Sequence, residues 1–317
     1  LGGTGPLLRS VVHSGAWELP VIFGGMSPLP LELSLRKAVS QCLQGSFVSD
    51  LMCAMVFTNT RLICISSRKK FKFDHNDIFL FTNFVRMNES FKQNESFTPF
   101  CFPSFNPDAF LYVYVSYISQ DVCLALISAR ADSFHELAQA KEFVQGFFKA
   151  NLEGAISKAL QGDVLKIREL PLSAGGGTGF GTTPLWHYVY FHKKLRQQVS
   201  PDFASPLHQK KHQKMVLQCY QQMVLSLKSG SDKHTTVSWK RTDTFAMVAC
   251  ISIDFDLYAV FDAIVDSDLA VHICNQLCTW IHSKEADILM PIFQLKSSSR
   301  VTAAAKRASL SPGKSIH

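Results

Sequence analysis

The stretch with the most obvious chemical potential is SAGGGTGFGTTPLWHYVYF, Ser173 to Phe191, in which Gly175, Gly176, Gly177, Gly179 and Gly181 crowd into seven positions. Bare backbone N–H groups at such a run can cradle a phosphate, provided that Gly-x-Gly-x-x-Gly stands between a strand and a helix. Here Gly175, Gly177, Gly179 and Gly181 never give that spacing, an aromatic strand-like run follows instead of a helix, and Pro171 and Pro184 bracket the segment. It reads as a linker. ASLSPGKS, Ala308 to Ser315, falls one residue short of a Walker A loop, but only Ile316 and His317 follow where the motif requires a helix. His208 and His212 in HQKKH have zinc-peptidase spacing, yet Gln209 stands where a general base is needed and Lys210 and Lys211 repel a cation. Cys274 and Cys278 are a helical turn apart beside an apolar face, and Ser34 and Lys37 form a Ser-x-x-Lys pair with no second base. With no Gly-x-Ser-x-Gly elbow and no clustered carboxylates, the sequence assigns no catalytic, cofactor-binding or metal-binding residue.

Cations remain. RKKFKF carries Arg68, Lys69, Lys70 and Lys72, HKKLR carries Lys193, Lys194 and Arg196, and HQKKHQK adds a third basic stretch. Lysines interleaved with Phe71 and Phe73 suit anionic lipid headgroups or an acidic partner, so Arg68, Lys69, Lys70, Lys72, Lys193, Lys194 and Arg196 are the candidate contact residues. Nucleic acid is disfavoured, since no RNP, KH or zinc-finger spacing accompanies the charge. The net charge of +7 also owes much to Lys296, Arg300, Lys306, Arg307 and Lys314 near the end of the chain.

The elements that must position these residues follow from periodicity. LPLELSLRKAVSQCLQG puts Leu31, Leu35, Ala38, Val39, Cys42 and Leu43 on one helical face. DLMCAMVFTNTRLICISS reads as a hairpin turning at Asn59 and Thr60, NDIFLFTNFVRM as a helix, and TPFCFPSFNP as a Pro-rich connection. FLYVYVSYI and VCLALIS are buried strands, followed by a helix with Ser133 and Glu136 at capping-box spacing and Leu137, Ala140, Val144, Phe147 and Phe148 facing inward. Beyond the glycines the grammar repeats. LWHYVYF is a strand, Met215, Val216, Cys219, Tyr220, Met223, Val224 and Leu227 share a helix face, TTVSWKR, TFAMVACISI and DLYAVFD are strands, and Leu269, Ile273, Leu277, Trp280 and Ile281 line a last helix. The chain is thus expected to be α/β of the α+β type, two similar modules in tandem.

At 317 residues and 47% hydrophobic composition there is material for two cores. The nine cysteines are odd in number and lie mostly in apolar segments, as reduced core residues of a cytoplasmic protein do. No apolar run approaches a membrane span. The opening LGGTGPLLRSVVHSG has no methionine and looks like the close of an earlier unit, so preceding sequence is expected.

Together LGGT, ESFTPFCFPSFNPDAFLYVYVSYI, ARADSFHELAQAK, PLWHYVYF, VSPDFASP and above all DFDLYAVFDAIVDSDLAVHICNQLCTWI resemble the SAND family, the Mon-type vacuolar fusion proteins. Ile251 departs from the tryptophan common in relatives, and MPIFQLKSSSR departs from their usual end. The resemblance implies tandem longin-like domains, each an antiparallel five-stranded sheet packed between helices. Residues 1–16 would close a truncated first longin domain, 17–168 form the second, 169–184 a Gly/Pro linker, 185–290 the third, and 291–317 a basic disordered tail. It further implies no cofactor and no covalent catalysis, but a guanine-nucleotide exchange complex with a Ccz-type longin partner. That complex would act on the late-endosomal Rab GTPase, mainly through the missing first longin domain, peripherally on anionic phosphoinositide membranes of the endosome and vacuole or lysosome. A nucleotide-dependent enzyme using the glycine stretch and a basic nucleic-acid-binding module are the alternatives.

Overall fold

The computed structural model describes residues 5, 8–9, 12–13, 17–46, 48, 50–58, 61–68, 71, 73–161, 164–172, 183–228, 236–291 and 293–294. In the first module, strands β1 (Leu51–Phe57) and β2 (Leu62–Ser67) are buried throughout, because both faces of their sheet are covered. The strands β3 (Ser96–Cys101), β4 (Phe110–Tyr117) and β5 (Cys123–Ser128) complete an antiparallel array in the order β2-β1-β5-β4-β3. Side chains alternate between faces as the period of two requires. Ala54, Val56, Leu124 and Leu126 meet helices α1 (Leu33–Gly45) and α2 (Phe134–Asn151), whereas Met55, Phe57, Ala125 and Ile127 meet helix α3 (His75–Met87).

The second module repeats the plan. Strands β6 (Leu185–His192), β7 (Gln197–Val199), β8 (Thr236–Arg241), β9 (Phe245–Ile251) and β10 (Phe255–Asp262) form an antiparallel sheet in the order β7-β6-β10-β9-β8. Tyr188, Tyr190, Val248 and Ala259 face helix α4 (Ser267–Ser283), and Val189, Phe191, Met247 and Val260 face helix α5 (Lys210–Lys228). Asp266 caps α4 by accepting from the N–H groups of Asp268 and Leu269.

Three sequence expectations change. TPFCFPSFNP is not merely a connection: its first residues belong to β3, where Pro99 sits opposite Tyr112 on an edge strand and so removes no ladder bond from a neighbour. Ser133 is the residue before α2, but its hydroxyl donates to the Arg130 carbonyl at 2.9 Å and forms no cap, so the capping box is not made. The expected tail from residue 291 instead begins with a short strand, β11 after chain order (Phe293–Gln294), paired in parallel with Ser66 and Ser67 of β2. The glycines Gly175 to Gly181 and the hairpin tip at Asn59 and Thr60 lie outside the described residues.

Packing also redraws the module boundaries, since each module lends a segment to the other. The short helix α6 (Leu19–Phe23) precedes the first module in the chain, yet Ile22 and Phe23 pack in the second, Phe23 lying edge-on to Tyr220 and Tyr258 at 5.7 and 5.0 Å. Leu165 and Leu170 likewise join the second core, and Met290 joins the first. The connecting residues bridge both sheets, Met26 pairing with Gln197 and Pro28 with Leu62. The Gln197 side chain, fully buried, donates to the Met290 carbonyl at 2.6 Å and accepts from its N–H at 2.8 Å. Backbone therefore crosses the junction by hydrogen bonds from both directions.

Gly25 sets how closely that crossing can pass. A Cβ there would stand 2.7 Å from the Phe191 ring and 3.0 Å from the Arg196 carbonyl. Gly25→Ala is expected to destabilise the chain by about 1–3 kcal/mol, as overpacking does, measured as a shift in urea midpoint. An unchanged midpoint would mean that the modules separate freely.

Candidate functional site

Of the predicted contact residues, Arg68 directly follows β2, its N–H donating to the Met52 carbonyl at 3.1 Å, and Lys69, Lys70 and Lys72 lie outside the described residues. The interleaved aromatics pack inward: Phe73 meets Phe102 at 4.7 Å and Phe105 at 5.2 Å, and Phe71 meets Phe105 at 5.8 Å. HKKLR is the turn between β6 and β7. Lys193 reaches the Ser252 carbonyl at 2.5 Å and Asp256 at 2.8 Å, while Lys194 is exposed. Arg196 adopts φ 52°, accepts at its carbonyl from Met26 N–H at 2.8 Å, and lays its guanidinium 5.5 Å from the Phe191 ring centre and 3.2 Å from His75 Nε2. The turn therefore serves the junction as well as presenting charge.

The other motifs do not assemble. Helix α5 begins at Lys210, which leaves His208 ahead of it and His212 on it, and no group of His, Cys, Asp or Glu suited to a metal occurs among the described residues. Ser34 donates to Glu32 at 2.6 Å on the surface. Burial pushes the thiols of Cys42, Cys64 and Cys278 up to about 12, far from the thiolate form that a nucleophile needs.

A feature without sequence signal is a half-open cleft of about 380 Å³ between the modules. Helix α3 supplies Phe79, Thr82 and Arg86 at helical spacing, beside Ile78, which the cleft shares with the core, while Phe81 and Val85 face the core alone. Trp17 and Met26 close one side, and Gln198, Phe203 and Leu217 of the second module close another. Arg86 Nη2 meets Glu18 at 2.8 Å and Asn83 Oδ1 at 2.7 Å, which ties α3 to the segment preceding α6. Arg61 reaches Asp202 at 3.4 Å, across from the other module. The lining comes from five separate stretches of the sequence, which is why periodicity within any one of them reveals nothing.

Two antiparallel five-stranded sheets, each held between helices and joined through their edges, define a tandem of longin domains. Residues 49–145 match the family model described as "Second Longin domain of FUZ, MON1 and HPS1", and residues 184–285 match "Third Longin domain of FUZ, MON1 and HPS1". The chain is 30% identical over 313 residues to "Vacuolar fusion protein MON1 homolog" of Oryza sativa subsp. japonica, covering 92% of this chain and 55% of that protein. It is 28% identical over 312 residues to the homologue of Arabidopsis thaliana, covering 92% and 51%, and 25% identical over 293 residues to "Protein SAND" of Takifugu rubripes, covering 90% and 53%. The chain belongs to the SAND family of MON1-type vacuolar fusion proteins. It spans about half the length of the curated relatives it matches. No helix among the described residues is long and apolar enough to cross a membrane.

Proposed function

We propose that this chain is the scaffold and membrane-docking part of a guanine-nucleotide exchange complex, which it forms with a Ccz-type longin partner. The complex activates the late-endosomal Rab GTPase during endosome maturation and fusion with the vacuole or lysosome. The observation that carries the reading is the coincidence of the second and third longin family matches with the two sheets, locked together at Gln197 and Met290. An exchange factor works by binding one conformation of its partner's nucleotide site more tightly than another, and makes no covalent bond. An interlocked tandem suits that work. Membrane docking falls to the basic stretches, with Lys194 and Arg196 the exposed cations of their turn and RKKFKF the second stretch.

The test is release of a fluorescent GDP analogue from the late-endosomal Rab in the presence of the Ccz-type partner. This chain alone is expected to leave release at its spontaneous rate, and the same chain extended by a full first longin domain to accelerate it. Equal rates with and without the extended chain would refute the exchange activity while leaving the longin fold intact.

A further inference from the structure

We infer that the inter-module cleft is a docking site for an extended acidic peptide segment of a partner protein, anchored by a tryptophan or tyrosine side chain. Its volume, about 380 Å³, is at the lower end of the range in which proteins hold compact ligands, and suits a single aromatic anchor with its flanking backbone rather than a helix. Phe79, Trp17, Met26 and Phe203 supply the apolar walls. Phe79 belongs to neither core of its own module and is half-buried, so its ring is available to a partner. Gln198 is 3% exposed and lines the cleft, with Nε2 donating to Ser27 at 2.5 Å and Oε1 lacking a hydrogen-bond partner among the described residues. An indole N–H or a phenol O–H provides the donor that this amide lacks, which selects tryptophan or tyrosine over phenylalanine.

Charge around the opening selects acidic flanks. Arg86 is matched by Glu18, but Arg61 meets its acid at 3.4 Å, and that Asp202 side chain is 86% exposed, a weak pairing that a better-placed carboxylate displaces. Along the neighbouring first half of α5, Lys210, Lys211 and Lys214 are exposed, the first turn holds no acid, and Lys214 stands 4.9 Å over the Trp17 ring. Arg61 and Arg86 thus line the cleft and Lys214 stands over its Trp17 wall, with the N-terminal half of α5 adding to the positive potential. The stretch HQKKHQK, which no metal or catalytic role explains, acquires a purpose as one flank of this site.

The experiment is to pan a random dodecapeptide display library on the intact chain, then titrate a fluorescein-labelled synthetic copy of the most enriched peptide. Enriched sequences are expected to carry tryptophan or tyrosine flanked by aspartate or glutamate. Their affinity is expected to fall about tenfold or more in Arg61→Glu and in Phe79→Asp, and to weaken with rising salt. Lys149→Glu, on the exposed surface of α2 and outside the cleft lining, is expected to leave it unchanged. Should Phe79→Asp prove unfolded by circular dichroism, Phe79→Ala and Arg61→Glu decide the matter. Enrichment without acidic or aromatic bias, or undiminished binding by both variants, overturns the inference. So does displacement of the peptide by phosphatidylserine vesicles together with loss of vesicle binding in Arg61→Glu, which would assign the cleft to a lipid surface. Peptide capture and GDP release are read separately, so failure of either leaves the other standing.

Discussion

Replacing Arg36 by methionine is expected to destabilise the chain by about 3–5 kcal/mol, seen as a lower urea midpoint. Arg36 lies on α1 with no exposed surface, although it sits within an otherwise ordinary amphipathic helix. Its guanidinium donates to the carbonyls of Ile63 at 2.6 Å, Leu29 at 2.8 Å, Asp287 at 3.2 Å and Leu31 at 3.5 Å. Asp287 belongs to a short helix (Glu285–Ile288) at the end of the second module, and its carboxylate accepts from the Leu33 N–H at 2.9 Å. The backbone of one module is thereby neutralised by a side chain of the other, and the negative Asp287 stands at the positive end of α1. Burial pulls the Arg36 guanidinium down to about 10, which still leaves it charged at neutral pH. Methionine retains the packing of the stem but strands those carbonyls without donors. The smaller change Asp287→Asn keeps the backbone carbonyl and weakens only the charge at the helix start, so about 0.5–1 kcal/mol is expected. Equal losses for both variants would show that charge, and not carbonyl satisfaction, holds the junction.

How much of this was legible in the sequence depends on range. Helix faces were, because Val39, Cys42 and Leu43, or Ile273, Leu277 and Ile281, declare themselves within three turns. The repeated order of strands and helices was legible too, since buried two-faced strands leave long apolar runs such as LMCAMVF. Pro99 concealed β3, because proline argues against a strand until the strand is known to be an edge. β7 is too short, at three residues, to show an alternation. The role of Arg36 was not legible, for nothing within a helix announces that carbonyls from three other segments, at Leu29, Ile63 and Asp287, will converge on it. The exchanged segments and the cleft were invisible for the same reason. Ile22 gives no hint that its neighbours are Val216 and Tyr220, or Phe79 that it faces Phe203.

The second large effect concerns acid. His187 of β6 is fully buried, with Nδ1 2.8 Å from the Tyr220 hydroxyl, Nε2 3.1 Å from the Pro201 carbonyl, and its ring stacked on Phe203 at 4.2 Å. A carbonyl can only accept, so Nε2 carries the proton, and Nδ1 accepts from Tyr220, whose phenol burial keeps protonated. The neutral ring is fully bonded, whereas a second proton would meet the phenol oxygen with no acid nearby to offset the charge. Burial accordingly drives His187 down to about 3 from its ordinary 6.5. As pH falls through about 6.5 the unfolded chain takes up this proton and the folded chain does not, so the fold loses stability progressively from about 6.5 toward 3 and gains nothing above it. Between pH 7.5 and 5.5 the share due to His187 is about 1.4 kcal/mol. His187→Gln keeps a donor and an acceptor without a titrating ring. It is expected to be less stable than the parent at pH 7.5 by about 1–2 kcal/mol, and to lose about 1.4 kcal/mol less on acidification. The measurement is the urea midpoint of both chains at the two pH values. Parallel losses would mean that His187 accepts its proton inside the fold, with Tyr220 turning to receive it. The buried histidine thus makes the second module, and with it the junction held by Gln197, sensitive to mild acid.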